Sequence, residues 1–527
     1  MPQPLSATHD VVIVGGGHNA LVAAAYLAGA GQKVVVLERL AHLGGAAVSE
    51  TPWSGVEARL SRYSYLVSLL PRKIIDDLGL RIDLRRRRYS SYTPDPSDPA
   101  RGILIDTKDA AATTDSFLRT TGDSREARRF ADFSERTTPI ARHLFPTVTE
   151  PLQTRSAVRA GLGDDGLWDA LIERPLGEVL RSSLDTDLAR GIVLTDGLIG
   201  TFSYADDPRL RQNRCYLYHV IGGGTGDWDV PVGGMGRVSG ELERAARDAG
   251  AELRTGTEVV AISPDGEVEI GGAKPETLRG RLVLSGVGPA VLDQLLAGGD
   301  PSSEETPEGA QVKVNMLLRR LPRLRDERVA PEAAFAGTFH INESMAQLDD
   351  AHAVASAGGI PSPLPAEIYC HSLTDSSILG QRLRAEGAQT LTLFGLQVPH
   401  RLVAVQDRDA ARVALLGAAM DSLDSVLAES IADCVYEGPD GLPCIEARTT
   451  ADLEDSLGMV GGDIFHGSLS WPWAEDDERL DSPAARWGVA TPHSRVLLCG
   501  SGARRGGAVS GLGGHNAAMA ALEILRA

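Results

Sequence analysis

The sequence is poor in cysteine, and its few cysteines form no paired motif. The 527 residues include five cysteines, an odd number, and no two of them are spaced as C-x-x-C. A disulfide framework, a zinc site and the dithiol of disulfide reductases are therefore not indicated. A reducing compartment fits this usage best, so we expect a cytoplasmic protein.

Long apolar runs and positive net charge are also missing. No stretch approaches the roughly 18 uncharged apolar residues of a membrane span. The 71 acidic side chains outnumber the 52 basic ones, giving a formal net charge of -19. Such a surface repels phosphate backbones, so nucleic acid is not an expected partner. The run Arg85–Arg88 leaves two interpretations open: a solvated strand edge or loop, or a contact with phosphate or membrane headgroups that would place the protein at the membrane periphery.

Glycine is abundant, and one glycine-rich stretch near the start has the order of a dinucleotide-binding unit. The β-branched run Val11–Val14 predicts a buried parallel strand. The turn after it, GGGHNA, reads as G-x-G-x-x-A. Gly15 permits the tight turn, Gly17 lets a pyrophosphate approach the backbone, and Ala20 lets the next helix pack close to the sheet. The helix predicted over 19–28 would present free N–H groups to the phosphates.

A second strand and an acid follow at the spacing that such a unit requires. Residues 33–37 predict a strand, and Glu38 comes directly after it. This acid lies roughly 20 residues beyond the glycines, where a carboxylate binds ribose hydroxyls. A carboxylate there repels a 2′-phosphate, so NADP is disfavoured. Because all the parts arrive in order, they indicate a dinucleotide site rather than a generic βαβ unit.

A second glycine pair follows the acid and indicates which dinucleotide is bound. Arg39 comes next, and Gly44, Gly45 and Ala46 complete the segment. This E-R-x-x-x-x-G-G pattern resembles that of the FAD-binding flavoproteins of the amine oxidase and phytoene desaturase superfamily. The resemblance implies FAD as the cofactor. It also implies an α/β fold, in which a discontinuous Rossmann-like FAD-binding domain is interleaved with an α+β substrate domain that carries a helical cap.

Motifs farther along the chain extend this resemblance. They are GGMG at 233–236, TEVV at 257–260, LVLSGVGP at 282–289 and CGSGA at 499–503. Together they are similar to phytoene desaturase-like FAD oxidoreductases, most of all to the branch called pyridine nucleotide-disulfide oxidoreductase domain-containing protein 2. A glycine-rich loop at 461–467 suits either a wall beside a flat ligand or a structural turn.

The resemblance implies which residues contact FAD. They belong to the first glycine turn, the second glycine pair, the segment that passes the flavin ring, the adenine end and the C-terminal glycine loop, where a helix starting near Ser510 would face the flavin. The expected cofactor-binding residues are Gly15, Gly17, His18, Asn19, Ala20, Glu38, Arg39, Gly44, Gly45, Ala46, Ser61, Tyr63, Val259, Gly500, Ser501, Ser510 and Gly511.

The same resemblance sets the expected order of domains. The FAD-binding domain takes its first part from residues 1–85, its second from 226–300 and its C-terminal part from 486–527. The substrate domain takes its helical cap from 86–225 and its mixed sheet from 301–485.

In this reading the flavin carries the redox chemistry and the protein positions the substrate. We expect an FAD-dependent oxidoreductase that removes hydride from a C–H bond of a lipophilic or unsaturated substrate, as a desaturase or dehydrogenase does. A non-catalytic flavoprotein that acts as a binding or regulatory partner, and an FAD-dependent isomerase or hydratase without net redox, remain alternatives. The sequence presents no metal-ligating cluster. His219, Tyr218 and His466 are the candidates for a catalytic base.

Overall fold

The computed structural model describes residues 8–296 and 306–526, which contain two seven-stranded sheets. The strands are β1 (His9–Val14), β2 (Val34–Leu37), β3 (Ser49–Glu50), β4 (Leu60–Ser61), β5 (Leu84–Arg85), β6 (Tyr89–Asp95), β7 (Asp98–Asp106), β8 (Val230–Pro231), β9 (Glu252–Arg254), β10 (Val259–Ile262), β11 (Glu267–Ile270), β12 (Glu276–Ser285), β13 (Val312–Leu318), β14 (Thr338–Ile341), β15 (Ala366–Tyr369), β16 (Gln389–Gly395), β17 (Ile445–Thr449) and β18 (Val496–Leu498).

Helices connect and cover these strands. Within the same described ranges, the α-helices are α1 (His18–Gly29), α2 (Arg72–Asp77), α3 (Ala110–Thr121), α4 (Glu126–Leu144), α5 (Arg155–Leu162), α6 (Asp165–Trp168), α7 (Leu176–Ser183), α8 (Asp187–Leu194), α9 (Arg211–Ile221), α10 (Met235–Asp248), α11 (Pro289–Leu295), α12 (Pro331–Ala336), α13 (Met345–Ser356), α14 (His371–Thr374), α15 (Gln381–Ala385), α16 (Arg408–Val426), α17 (Thr450–Leu457), α18 (Pro483–Arg486) and α19 (Leu512–Arg526).

The first sheet is built around β1. Its order is β10-β11-β12-β1-β2-β9, with β18 beside β12. Strands β9, β2, β1, β12 and β18 are parallel, while β10 and β11 extend β12 as an antiparallel meander. Val11 and Ile13 pack in the same cluster as α1, α10 and α19, and Val12 and Val14 pack with β10 and β11 on the opposite face. Because both faces are covered, β1 and β2 are almost continuously apolar.

The second sheet lies later in the chain and is mostly antiparallel. Its order is β17-β13-β16-β15-β14-β6-β7, and within this sheet, as far as the structure describes it, only β14 and β6 pair in parallel. Every side chain of β13 is buried, and α16 contributes buried Leu415, Ala419 and Leu423 to the core on one face. Helices α3 to α9 form a separate apolar cluster that includes Phe394 and Leu396.

The two sheets are interleaved along the chain. The first takes its strands from 9–37, 252–285 and 496–498, and the second from 89–106 and 312–449. The structure confirms the predicted architecture. A discontinuous Rossmann-like domain is interleaved with an α+β domain that has a helical cap. The exact domain boundaries remain predictions, and residues 1–7 and the predicted boundary at 300 and 301 lie outside the described residues. None of the described helices has the length and apolar character needed to cross a bilayer.

Candidate functional site

A cavity of about 1260 Å³ is lined by both sheets and by helices α4, α8 and α9. Its lining begins at the loops after β1, β2 and β12 and at the C-terminal glycine loop. It continues past β13, β14 and β15 and reaches α4, α8 and α9. Pockets for a drug-sized ligand have roughly 300–1000 Å³. The cavity therefore has room for a long nucleotide cofactor and for a second molecule.

The first glycine turn forms one wall of this cavity. Gly15 has φ +90°, a conformation that glycine adopts without strain. A Cβ on Gly17 would meet nothing within 4 Å, because that side of the backbone faces open space. Gly17 is also the N-cap of α1 and provides no side-chain cap, so the first N–H groups of the helix have no side-chain partner. An anion fits here, since the helix dipole also favours negative charge.

His18 and Asn19 join this turn to the C-terminal glycine loop. The ring Nε2 of His18 donates to the carbonyl of Ala508 at 3.1 Å, and burial lowers the pKa of His18 to about 4. The amide Nδ2 of Asn19 donates to Oγ of Ser501 at 3.3 Å. Oδ1 of Asn19 is buried without a hydrogen-bond partner among the described residues. This acceptor can take a hydrogen bond from a polar ligand in the cavity.

Glu38 is buried at the end of β2, and the cavity borders it. Its Oε2 accepts from the N–H of Gly16 at 2.7 Å and its Oε1 accepts from the N–H of Leu40 at 2.8 Å. Each carboxylate oxygen has a second lone pair that can accept from a ribose hydroxyl. The carbonyl of Glu38 accepts from the N–H of Thr257 at 2.7 Å, which brings Val259 to the same end of the cavity.

The residues of the first sheet thus fit a dinucleotide. One wall of the cavity holds four features that suit such a ligand. They are the uncapped N-terminus of α1, the open face at Gly17, the amide oxygen of Asn19 that has no partner among the described residues, and the fixed carboxylate of Glu38. The cavity lining includes these predicted cofactor residues: Gly15, Gly17, His18, Asn19, Ala20, Glu38, Arg39, Gly45, Ala46, Tyr63, Val259, Gly500 and Ser501.

Four predicted cofactor residues, Gly44, Ser61, Ser510 and Gly511, lie outside the cavity lining, and their contacts with FAD remain predictions. Gly44 packs against Ser239, with φ +112°. Ser61 accepts from the N–H of Met235 at 3.0 Å, so its hydroxyl supports α10. Ser510 is fully buried and its Oγ accepts from the N–H of Leu512, while Gly511 packs against α1 and α2. The last helix begins at Leu512. From the loop before it, Gly507, Ala508 and Val509 line the cavity, whereas Ser510 and Gly511 do not.

The three predicted base candidates all border the cavity, but in different states. Tyr218 donates its hydroxyl to the carbonyl of Ser470 at 3.0 Å, and burial raises its pKa, so it is a committed donor. Nδ1 of His219 lies 3.0 Å from the carbonyl of Cys215 and carries the proton there, which leaves Nε2 as an acceptor. Burial lowers the pKa of His466 to about 4, so this ring is neutral at neutral pH.

Lys313 has a buried amine in the cavity wall and was not among the predicted site residues. Its Nζ donates to the carbonyls of Ser61 and Tyr63 at 2.8 and 2.7 Å and lies 4.7 Å from the centre of the Tyr65 ring. Burial lowers its pKa well below the usual value. Because Lys313 is one residue in the apolar pattern of β13, no local motif could have identified it.

A cluster of acids around one histidine was also missed. The structure brings His340, Glu343 and Glu367 together, with ligand-type atoms within 4.8 Å of one another, and Asp196 faces the same group. Nδ1 of His340 is 2.7 Å from Oε2 of Glu343. Oε1 of Glu367 lies 4.0 Å from the same nitrogen, so the cluster has one acid–imidazole hydrogen bond with a second carboxylate beside it. Arg87, from the arginine run, lies over the ring of Tyr369 at 5.6 Å beside it.

The helical side of the cavity combines an apolar patch with polar side chains such as Ser134, Glu135 and Thr138 of α4. The patch is lined by Phe130 and Phe133 of α4, by Ile192 and Val193 of α8, and by Ile464 and Phe465 of the glycine-rich loop at 461–467. This loop forms a wall of the cavity, one of the two interpretations that its sequence left open. An apolar arm of this kind favours a lipophilic ligand.

Comparisons with known proteins agree with this geometry. A model of a NAD(P)-binding Rossmann-like domain matches residues 13–70. An uncharacterized protein of Mycobacterium tuberculosis is 54% identical over 528 residues, which cover 98% of this chain and 97% of the relative. Pyridine nucleotide-disulfide oxidoreductase domain-containing protein 2 of Rattus norvegicus is 28% identical over 573 residues, covering 99% and 94%. The resemblance inferred from the motifs is confirmed.

Among solved structures, the fold is similar to that of wild-type putrescine oxidase bound to putrescine. The match has a TM-score of 0.59 at 16% identity and covers 98% of this chain and 99% of the other. At this identity the similarity shows the fold alone. The matched Rossmann-like domain supports a nucleotide cofactor in the cavity.

Proposed function

The chain belongs to the same family as the mycobacterial protein and is homologous to pyridine nucleotide-disulfide oxidoreductase domain-containing protein 2, and from this premise we propose that it is an FAD-dependent oxidoreductase. The reaction we propose is removal of hydride from a C–H bond of a lipophilic substrate. The observation that carries the proposal is the continuous cavity, which extends from the dinucleotide loops to an apolar arm between helices.

FAD is favoured over NAD by the number of loops that border the cavity. The first glycine turn and Glu38 can bind one of the two nucleotides of a dinucleotide. Gly45 and Ala46, and then Gly507 to Val509, continue the wall with backbone that has few side chains. A longer cofactor uses this extra length. When bound, FAD supplies hydride acceptance, and the chain supplies orientation and exclusion of water.

The protein's own residues would hold the reacting groups in place. Lys313 fixes the carbonyls of Ser61 and Tyr63 beside the cavity, and the Tyr65 ring covers its ammonium group. Phe130, Phe133 and Phe465 line the substrate arm and would shield a bound substrate from water. A lipophilic chain between these rings would place a C–H bond toward the dinucleotide loops.

The test is anaerobic mixing of the purified flavoprotein with a panel of terpenes, polyenes and fatty acyl compounds, with putrescine as an amine comparison. We expect at least one lipophilic compound to bleach the long-wavelength absorbance of oxidised flavin, with a product two hydrogens lighter. A product of unchanged mass, or one that gains water, would identify an isomerase or hydratase. Failure of every compound to bleach the flavin would favour a binding or regulatory role.

A further inference from the structure

Two adjacent strands of the second sheet place acid and hydroxyl groups at the substrate side of the cavity. In the β14–β15 pair, His340 lies directly opposite Glu367. Alternate residues of a strand share a face, so Glu367 and Tyr369 point the same way while Ile368 between them packs in the core. Strand register therefore brings His340, Glu367 and Tyr369 to the cavity wall, which all three line.

These side chains form a row of two hydrogen-bonded pairs, Tyr369 with Glu367 and His340 with Glu343, and 4.0 Å separates Glu367 from His340. The hydroxyl of Tyr369 donates to Oε2 of Glu367. Oε1 of Glu367 lies 3.5 Å from Oγ1 of Thr195 and 4.0 Å from Nδ1 of His340, and His340 contacts Glu343 at 2.7 Å. Oε1 of Glu343 has no hydrogen-bond partner among the described residues, although Glu343 is fully buried. The row thus runs from the cavity surface into the protein and ends at an acceptor with unused capacity.

Burial is the largest influence on the pKa of Glu367, and the charges around it come second. Burial raises the pKa of Glu367 to about 7, of Glu343 to about 8 and of Asp196 to about 6, while burial lowers the pKa of His340. The charged and titratable groups that face Glu367 come from several elements. They are Tyr369 of β15, His340 of β14, Glu343 after it, Asp196, Arg87, Tyr65, and Cys215 and His219 of α9.

We propose that Tyr369 and Glu367 form the proton-accepting site of the oxidation, with Tyr369 as the catalytic residue that meets the substrate and Glu367 as the group that receives the proton through it. The inference rests on the proposed function and adds to it the destination of the proton. Hydride removal from one carbon makes a neighbouring C–H bond acidic, so a base beside the substrate completes the formation of a double bond.

Atoms and electrons balance in this step. One C–H bond would give hydride, with both electrons, to an oxidised flavin held in the cavity. The neighbouring C–H bond gives its proton to Oη of Tyr369, and its electron pair becomes the new double bond. The phenol proton of Tyr369 passes to Oε2 of Glu367, which changes from carboxylate to carboxylic acid. Release of this proton to solvent restores the carboxylate.

The first test is an infrared pH titration of the purified holoprotein, which needs no substrate. The C=O stretch of a protonated carboxylic acid is resolved from the amide bands. We expect one component of this band to titrate with an apparent pKa of about 7. Glu367→Gln should remove this component, and Tyr369→Phe should shift its frequency and its pKa, because the hydroxyl donates to Glu367.

A matched control lies in the same sheet. Tyr92 of β6 donates its hydroxyl to Asp326 at 3.2 Å, and both residues are buried outside the cavity lining. Tyr92→Phe and Asp326→Asn should leave the Glu367 component unchanged. Loss of that component in the controls as well would assign it to a general change in the sheet and would overturn the assignment to Glu367.

The second test is the rate of flavin reduction by any compound that bleaches the flavin in the panel. The rate should rise with pH through about 7, because Glu367 must be ionised to accept a proton. Glu367→Gln and Tyr369→Phe should lower the limiting rate by roughly 100-fold or more, with a much smaller change in apparent Kd, and Glu367→Gln should abolish the rise.

Several results would overturn the inference. One is that Glu367→Gln retains both the titrating component and the pH-dependent rate. Another is that the wild type retains stoichiometric Zn²⁺ or Mn²⁺ and Glu343→Gln loses it, since the carboxylates would then be ligands rather than proton acceptors. If no compound bleaches the flavin, the proposed function fails, and the infrared titration then decides whether Glu367 holds the proton.

Discussion

At the residue scale, the dinucleotide site depends most on Gly17, where a missing side chain leaves backbone open to the cavity. Its φ is -68°, so another residue can adopt this conformation, and a Cβ would meet nothing within 4 Å. A substitution here therefore tests the ligand without testing the fold. The same cannot be said of Gly15, whose φ of +90° would strain any other residue.

We expect Gly17→Val to weaken FAD binding by about 100-fold, equivalent to about 2.7 kcal/mol, because the isopropyl group would occupy the space of the phosphates. The measurement is a titration of the apoprotein with FAD, followed by flavin fluorescence. Gly29→Val, at the exposed far end of the same helix and also in open space, is the matched control and should bind FAD normally. Equal affinities for the two variants would contradict the phosphate assignment.

Which site residues the sequence could identify depends on how local their arrangement is. Gly15, Gly17 and Glu38 lie within one βαβ unit, so spacing alone placed them together. Glu367 meets His340 only because β14 and β15 pair in one register, and that register depends on contacts across the whole sheet. Lys313 lies in an apolar strand far from the carbonyls it contacts. A contact that depends on long-range strand pairing leaves no pattern in the local sequence.

A second prediction at this scale concerns stability and pH. Burial raises the pKa of Glu343 to about 8 in the folded protein, from 4.5 when exposed. The folded state therefore holds more protons than the unfolded state between these values. The stability that this group contributes is fully present below about pH 4.5 and is lost as pH rises through about 8.

Glu343→Gln should accordingly reduce the decline of stability with pH. We expect the free energy of unfolding of the wild type to fall between about pH 5 and about pH 8 more than that of the variant, by on the order of 3 kcal/mol. Urea unfolding at a series of pH values measures this difference. Identical pH dependence in the two proteins would show that Glu343 is ionised in both the folded and the unfolded state.

At the scale of elements, the crossing of α1 and α19 positions two cavity loops against each other. A Cβ on Gly514 of α19 would lie 1.8 Å from the carbonyl oxygen of Asn19, so only glycine permits this approach. The sequence predicted both helices, but it placed the start of the last one near Ser510. The helix begins at Leu512, because Gly511 has φ +71° and interrupts helical geometry.

We expect Gly514→Ala to destabilise the protein by about 3 kcal/mol or more, because the added methyl group meets backbone that cannot move alone. FAD affinity should fall as well, since Asn19 is displaced. Gly240→Ala is the control: this exposed glycine is inside α10 with open space around it, so alanine should stabilise the helix by about 0.8 kcal/mol. Denaturant unfolding of both variants provides the comparison, and a neutral Gly514→Ala would contradict the close crossing.

At the scale of the whole molecule, the interleaved chain makes the cavity a property of both sheets. Strands of the first sheet come from three separated parts of the sequence, and strands of the second lie between them. The sequence predicted this architecture from motifs at both ends and in the middle. The strand order within the second sheet was not predictable, because its alternating apolar runs fit several antiparallel arrangements.

Cofactor binding should therefore stabilise the molecule as a unit. FAD at about 100 times its Kd should raise the free energy of unfolding by about 2.7 kcal/mol and raise Tm, because it binds only the folded state. Thermal unfolding of the apoprotein at increasing FAD concentration measures this shift. Gly17→Val should show the shift only at much higher FAD concentration, and a wild-type Tm independent of FAD would contradict binding.

The central claim is that one cavity, from Glu38 to the loop at 507–509, holds a single FAD. The most direct measurement is the mass and molar amount of the small molecule released when the purified wild-type protein is denatured. We expect FAD, at about one molecule per chain. Release of a nicotinamide dinucleotide in the same amount, or failure of the protein to retain FAD even after incubation with an excess of it, would contradict the account.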